Sequence, residues 1–242
     1  MTTVQAHRTA ARHHPRRIAL FGGSFDPVHN GHLTVARAAD RRFNFDEIHF
    51  IAASCPPHKT KQHLAPFAHR FAMLALACAE HPHFVPSLAE AGEDFSGQQL
   101  FYSVDTVRHF KHVYHFQGDR IFFIVGADAF LDLPVWKEYE TLLSLCDFIV
   151  ANRPGILPDA LRLVIPPDLL GRPPARRSEP NGHAPEGPVI EHLRRTTVYL
   201  LDSVSSEVSA TDVRRRARNR QSIHGLVSAR VEEYILKQGL YR

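Results

Sequence analysis

The densest run of chemistry-bearing residues in this 242-residue chain is Gly22-Gly23-Ser24-Phe25-Asp26-Pro27-Val28-His29-Asn30-Gly31-His32. Paired glycines let backbone approach a nucleotide with no side chain in the way, and Ser24 adds a hydroxyl donor. His29 and His32 stand about one helical turn apart, so at a helix start both rings can face one phosphate. The segment matches neither the G-x-G-x-x-G dinucleotide fingerprint nor the Walker G-x-x-x-x-G-K-[ST] loop. It reads as a different phosphate cradle. A metal pair is the competing reading, but the sequence shows no third Cys, His or carboxylate ligand in a recognisable arrangement, so no metal site is assigned. His109, His112 and His115 share the spacing without a Gly-rich turn or a preceding strand, and read as a solvated helix face.

A second cluster lies near the other end, Val208-Ser209-Ala210-Thr211-Asp212-Val213-Arg214. Ser209 is placed to cap a helix and Asp212, three residues on, to close a capping box. The helix start and the Arg214 fork then make an anion site. Alone, this would be a plain capped helix with a basic face through Arg215, Arg216 and Arg218. Two phosphate cradles on one chain point instead to nucleotide chemistry.

The elements that must position them alternate. Short apolar runs predict strands at Ile18 to Phe21, Glu47 to Ala52, His83 to Pro86, Arg120 to Val125, Phe148 to Ala151 and Thr197 to Leu201. Helical patterns fall at Gly31 to Phe43, Ala68 to Glu80, Ser103 to His112 and Trp136 to Leu145. The fold class is therefore α/β, a doubly wound and mainly parallel sheet. Two further helices, Ala210 to Arg220 and Ser228 to Gln238, have no strand behind them and are expected to cap one end of the sheet.

Residues 18–242 read as one domain. Between 154 and 195 the alternation breaks: nine of the chain's 17 prolines fall there, with four glycines and no aromatic residue. A Pro-rich flexible insertion at about 155–195 is expected, with Leu161 to Ile165 the one stretch able to form a local element. Residues 1–17 hold Arg8, Arg12, Arg16 and Arg17 and no acid, and read as a disordered basic tail, with a basic arm or a transit-like peptide as alternatives. Apart from those four arginines, basic and acidic residues balance at 25 each. A neutral body argues against a nucleic-acid partner, whose backbone is gripped by concentrated Lys and Arg.

Apolar runs are far shorter than the ~18–20 residues of a membrane span, and no apolar stretch follows the basic start as in a signal peptide. Cys55, Cys78 and Cys146 are odd in number and widely spaced, which suits a reducing cytoplasm. The sequence carries no signal for oligomeric state.

The first cluster closely resembles the signature of the nucleotidyltransferase superfamily, in which an H-x-G-H tetrapeptide binds the phosphates of ATP; here it is His29-Asn30-Gly31-His32. The second resembles that superfamily's Ser/Thr-rich C-terminal signature ending in Arg. Within it the chain looks like the bacterial nicotinate-nucleotide adenylyltransferases, over nearly all of 18–242 apart from the insertion. The landmarks are Cys55-Pro56-Pro57-His58-Lys59, Arg70 with Met73, Tyr102-Ser103-Val104-Asp105-Thr106, Phe123-Ile124-Val125-Gly126-Ala127-Asp128, Trp136, Arg153-Pro154-Gly155 and Tyr234-Ile235 to Leu240-Tyr241.

The resemblance implies a Rossmann-like fold and transfer of the adenylyl group of ATP to nicotinate mononucleotide, with Mg²⁺ carried mainly on the ATP phosphates. It implies His29, His32 and Arg214 in catalysis, and Gly22, Gly23, Ser24, Phe25, Gly126, Asp128, Ser209 and Thr211 around ATP. His58, Lys59, Ser103, Thr106, Trp136 and Arg153 would then surround the mononucleotide. Three departures stand out: Phe101-Tyr102-Ser103 where Ser-Tyr-Thr is usual, Lys137 where an aromatic is common, and the long insertion. Nicotinamide mononucleotide or phosphopantetheine as acceptor, and a non-catalytic nucleotide-binding scaffold, are the alternatives.

Overall fold

The computed structural model describes residues 15–54, 64–92, 102–116, 118–152, 156–172, 188–202 and 208–242. The elements in chain order are β1 (Arg17–Gly23), α1 (Asn30–Phe43), β2 (Glu47–Ala52), α2 (Phe67–Cys78), β3 (Phe84–Ser87), α3 (Ser103–Val113), β4 (Arg120–Gly126) and α4 (Ala127–Leu131). There follow α5 (Tyr139–Leu145), β5 (Asp147–Ala151), α6 (Pro158–Arg162), β6 (Val189–His192), β7 (Thr197–Leu201), α7 (Ala210–Arg218) and α8 (Ala229–Gln238).

Among the described residues seven strands form one sheet, in the order β3-β2-β1-β4-β5-β7-β6. All neighbours are parallel except β6, which runs antiparallel to β7. Successive side chains of a strand point to opposite faces, and β1 divides its residues accordingly. Ala19 and Phe21 join the core under α1, α2, α7 and α8, through Leu33, Ala36, Met73, Val213 and Ile235. Ile18 and Leu20 join the core under α3 to α6, through Val107, Phe110, Phe130, Leu142 and Leu161. Burial on both faces explains why the strands read as continuous apolar runs.

The chain winds outward from β1 to β3, then returns to place β4 on the other side of β1. The β1–β4 ladder ends at Phe21 opposite Ile124. Beyond it β1 follows β2 as far as Gly23 opposite Ala52, and β4 follows β5 as far as Gly126 opposite Ala151. The two strands therefore part at their carboxyl ends, opening the crevice in which doubly wound sheets bind ligands.

Four expectations are corrected. The segment read as a flexible insertion carries α6 and the edge strand β6, and buries Leu161, Ile165, Ile190 and Leu193 in the core; its residues 173–187, and 153–155 before it, lie outside the described residues. Gly171 N–H donates to the His192 carbonyl at 2.9 Å, so the ends of 172–191 are brought together. At the other end, Arg17 begins β1 and Arg16 N–H donates to Asp119 at 2.9 Å, so these two residues belong to the sheet rather than to a tail. The C-terminal helices lie along one face beside α1 and α2 instead of capping an end. Finally, the helix expected from Trp136 begins at Tyr139, because Glu138 turns into the left-handed region at φ +50 and leaves Trp136 in the preceding turn.

Candidate active site

Residues 22–32 run from the end of β1 into α1 along the lip of this crevice. A Cβ on Gly23 would stand 3.2 Å from the Phe25 ring, so a bare backbone there lets the ring fold back beneath the loop. Phe25 holds a left-handed conformation, φ +43, costly for a bulky residue, and its ring is buried against Phe21, Phe50 and His32. That packing offsets the strain and turns the chain so that His29 and His32 arrive at the helix start. Ser24 is partly exposed beside them.

His29 is the N-cap of α1 in extended conformation. Its ring and that of His32 stack with centroids 3.6 Å apart and planes inclined by 27°. His29 N–H donates to His32 Nδ1 at 3.2 Å, and Phe25 meets the His32 ring edge-on with centroids 4.9 Å apart. A neutral His32 that accepts at Nδ1 carries its proton on Nε2, which makes it a donor at its outer edge. Asn30 locks the helix start from behind: its N–H donates to the Leu226 carbonyl and its side-chain amide to the Gly225 carbonyl, both at 2.8 Å.

The second motif reaches this loop across 188 residues of sequence. Arg214 donates to the backbone carbonyl of Asp26 at 2.6 Å, and its guanidinium lies 3.9 Å from the Asp26 carboxylate. Ser209 caps α7 by accepting from Asp212 N–H at 3.1 Å. The reciprocal half of the expected capping box is absent, because Asp212 turns to Arg215 and, at 2.9 Å, to Arg216, one turn along its own helix. Thr211 accepts a long contact, 3.4 Å, from Arg214. Thr211, Arg214, Arg215, Arg218 and Asn219 line a shallow hollow of about 380 Å³ along this helix.

Behind the loop lies a buried cluster with no assigned role in the sequence. Asp26 is 1% exposed and its Oδ1 accepts from Tyr241 Oη at 2.8 Å and from Ala65 N–H at 3.2 Å. Arg70, also 1% exposed, donates to the carbonyls of Ser24 and Ala65 at 2.8 and 3.0 Å, stapling two loops together. Burial pushes the Arg70 pKa down, opposed by the Asp26 charge. Burial, then the Asp26 charge, push the Tyr241 phenol up, so it remains a donor. Asp26 and Tyr241 are legible only as parts of longer motifs; their pairing, 215 positions apart, has no local signature.

Across the crevice, Gly126 ends β4, and a Cβ there would meet nothing within 4 Å. Asp128 is exposed in the first turn of α4. Trp136 is half-buried, edge-on to Phe123 at 6.3 Å. Ser103 opens α3. Lys137, at the departure from the aromatic, sits 4.5 Å over the Tyr102 ring and pairs with Asp105 at 3.1 Å, tying the Trp136 turn to α3.

Thr106 corrects its expected role in mononucleotide contact. It is 1% exposed and its hydroxyl donates to Glu90 at 2.7 Å, with the Tyr102 carbonyl at 3.2 Å, so no free hydroxyl faces a ligand. Burial pushes the Glu90 carboxyl up to about 7, against that hydrogen bond. His58, Lys59 and Arg153 lie outside the described residues. Of the three histidines read as a helix face, His112 and His115 are exposed, but α3 ends at Val113 and His115 lies beyond it.

Among the described residues no three His, Cys, Asp or Glu side chains group to hold a metal ion, and no helix is long and apolar enough to cross a membrane. Residues 20–216 match the family model described as cytidylyltransferase-like. The chain is 37% identical over 229 residues to a protein of Citrifermentans bemidjiense named "Probable nicotinate-nucleotide adenylyltransferase", covering 93% of this chain and 98% of that one. It is 36% identical over 225 residues, with the same coverage, to the protein of that name from Geobacter sulfurreducens. It belongs to this family, the nicotinate-nucleotide adenylyltransferases of the cytidylyltransferase-like group. Among solved structures it is similar in fold to Plasmodium falciparum nicotinic acid mononucleotide adenylyltransferase, complexed with APC, at TM-score 0.65 and 17% identity over 93% of this chain and 97% of that one.

Proposed function

We propose that the protein transfers the adenylyl group of ATP to the 5′-phosphate of nicotinate mononucleotide, giving nicotinate adenine dinucleotide and pyrophosphate. The observation that carries the reading is the docking of Arg214 on the loop that bears His29 and His32. That contact brings the Arg214 guanidinium to the loop that leads from the end of β1 into the start of α1. The names of the curated relatives support the acceptor.

An oxygen of the mononucleotide phosphate attacks the α-phosphorus, and the bond from that phosphorus to the bridging oxygen breaks as pyrophosphate leaves. The nucleophile is already an anion, so the site needs no general base; its work is alignment and charge neutralisation. His32, donating from Nε2, and His29 meet the α-phosphate and the bridging oxygen. Ser209, Thr211 and Arg214 hold the leaving pyrophosphate, while the loop Gly22, Gly23, Ser24 and Phe25 gives the nucleotide a close backbone floor. Gly126 and Asp128 serve the nucleoside. Ser103, Trp136, His58, Lys59 and Arg153 serve the mononucleotide. Mg²⁺ bound by substrate phosphates needs no protein cage, so the donor set here fits a metal that arrives on ATP and neutralises phosphate charge.

Both substrates are small molecules; neither nucleic acid nor membrane has a place in the reading. Cys78 and Cys146 are buried free thiols, and burial pushes Cys78 up to about 12, which makes it inert. That suits a cytoplasmic enzyme. Pyrophosphate release measured in parallel with nicotinate mononucleotide, nicotinamide mononucleotide and phosphopantetheine tests the proposal. Clear preference for the first is expected. Preference for either of the others, or ATP binding without release, overturns it.

A further inference from the structure

We propose that Tyr241 is a positioning residue for the triphosphate: its hydroxyl orients the Asp26 carboxylate, Asp26 holds Arg214, and Arg214 meets the phosphates. The proposal rests on the role given to Arg214 above. Asp26 is 1% exposed, yet its two oxygens are unequally served. Oδ1 accepts from Tyr241 and from Ala65 N–H. Oδ2 is buried and, among the described residues, has no hydrogen-bond donor in range; its nearest cation is Arg214 at 3.9 Å. A buried carboxylate oxygen left without a donor is costly, so the Arg214 guanidinium is drawn toward it. One arm of that guanidinium is already fixed on the Asp26 carbonyl at 2.6 Å. Among the described residues the opposite arm has only the 3.4 Å contact with Thr211, and it is the edge left for an anion. Rotating the carboxylate would move the negative oxygen that sets where this fork points, and the Tyr241 bond is the side-chain contact that prevents the rotation. Arg70 supports the same loop through the Ser24 carbonyl.

Tyr241→Phe keeps the ring, which packs on the core, and removes only the hydroxyl. Steady-state kinetics should show KM for ATP raised about 3- to 10-fold, the scale of one such hydrogen bond, with KM for nicotinate mononucleotide within about twofold. In an Arg214→Lys background the same change should add nothing, since both act through one contact. A fall that is equal for both substrates, an additive effect in the double variant, or unchanged ATP kinetics in a folded Tyr241→Phe overturns the proposal. Should Tyr241→Phe not fold, Asp26→Asn keeps the acceptor for Tyr241 while removing the charge facing Arg214; the same ATP-selective loss supports the proposal and a loss for both substrates overturns it. Equilibrium binding of ATP separates this claim from the acceptor assignment. Weakened ATP binding in Tyr241→Phe upholds it even if the wild type fails to use nicotinate mononucleotide.

Discussion

Charged clusters stand at both ends of the sheet, and they are built to different rules. At the amino end, Glu47 accepts from Tyr114 at 2.7 Å, contacts His49 at 2.8 Å and pairs with Arg16. Arg120 pairs with Asp147 at 2.7 Å, and Asp147 also accepts from Thr197 N–H at 2.8 Å. Each of these charges answers another within the protein. At the carboxyl end, Asp26 Oδ2 has no donor in range among the described residues, and Arg214 is fixed through one arm on the Asp26 carbonyl. Equal chemical ingredients give a clamp at one end and a receptor at the other: at the amino end carboxylates and guanidinium groups pair side chain to side chain, while at the carboxyl end Arg214 is held by a backbone carbonyl.

The largest effect expected is on the body that carries both ends. Replacing 158–192 by a short linker removes α6 and β6 and strips cover from Leu193 and the β7 edge. Thermal unfolding should show a loss of several kcal/mol, since one buried Leu→Ala alone costs ~2–5 kcal/mol. Replacing only 173–187 leaves the Gly171–His192 pairing in place and should shift stability by no more than about 1 kcal/mol, because loop-closure cost changes slowly with length.

At the carboxyl end, His32→Ala should lower kcat by about 10²-fold, the scale of one lost transition-state donor, with little change in melting temperature. Near-normal turnover in the folded variant would remove His32 from the chemistry. Arg214→Lys should raise KM for ATP by about tenfold, because an ammonium cannot reproduce the fork; unchanged ATP kinetics would shift the role to Arg215 or Arg218. At the amino end the pattern reverses: Tyr114→Phe should cost about 1 kcal/mol of stability and leave kcat alone. A kcat effect there would break the contrast between the two ends.

The smallest effects are in pH dependence, and their signs oppose. Burial holds His49 below the ordinary histidine value, against its bond to Glu47. The unfolded chain therefore takes up a proton that the folded one resists, and this stability is full above about pH 6.5 and falls as pH drops. Glu90, raised to about 7, contributes stability that is present below the unfolded carboxyl value and lost as pH rises toward 7. Melting curves from pH 5 to 8 should show Glu90→Gln gaining on the wild type as pH rises through that window. His49→Gln should flatten the acid limb.

Most of the sheet was legible because its strands are buried on both faces and read as apolar runs ending in Gly, as at Gly22-Gly23 and Gly126. The signature loop was legible for the same reason: local backbone demands leave local residues. The edge strand β6 was not, since Val189–His192 is four residues long in Pro-rich surroundings and is made a strand by β7. The Asp26–Tyr241 bond and the Arg214 contact were not legible as contacts, because each joins residues about 200 positions apart. Thr106 misled for a related reason: a hydroxyl in a motif looks like a ligand contact until Glu90, 16 residues earlier, is seen to use it.

The most direct test of the account is the reverse reaction. With labelled pyrophosphate and nicotinate adenine dinucleotide, the protein should form labelled ATP, His32→Ala should abolish nearly all of that signal, and Arg214→Lys should demand more pyrophosphate to reach the same rate. Absence of labelled ATP with the wild type, or equal rates in all three proteins at low pyrophosphate, would contradict it.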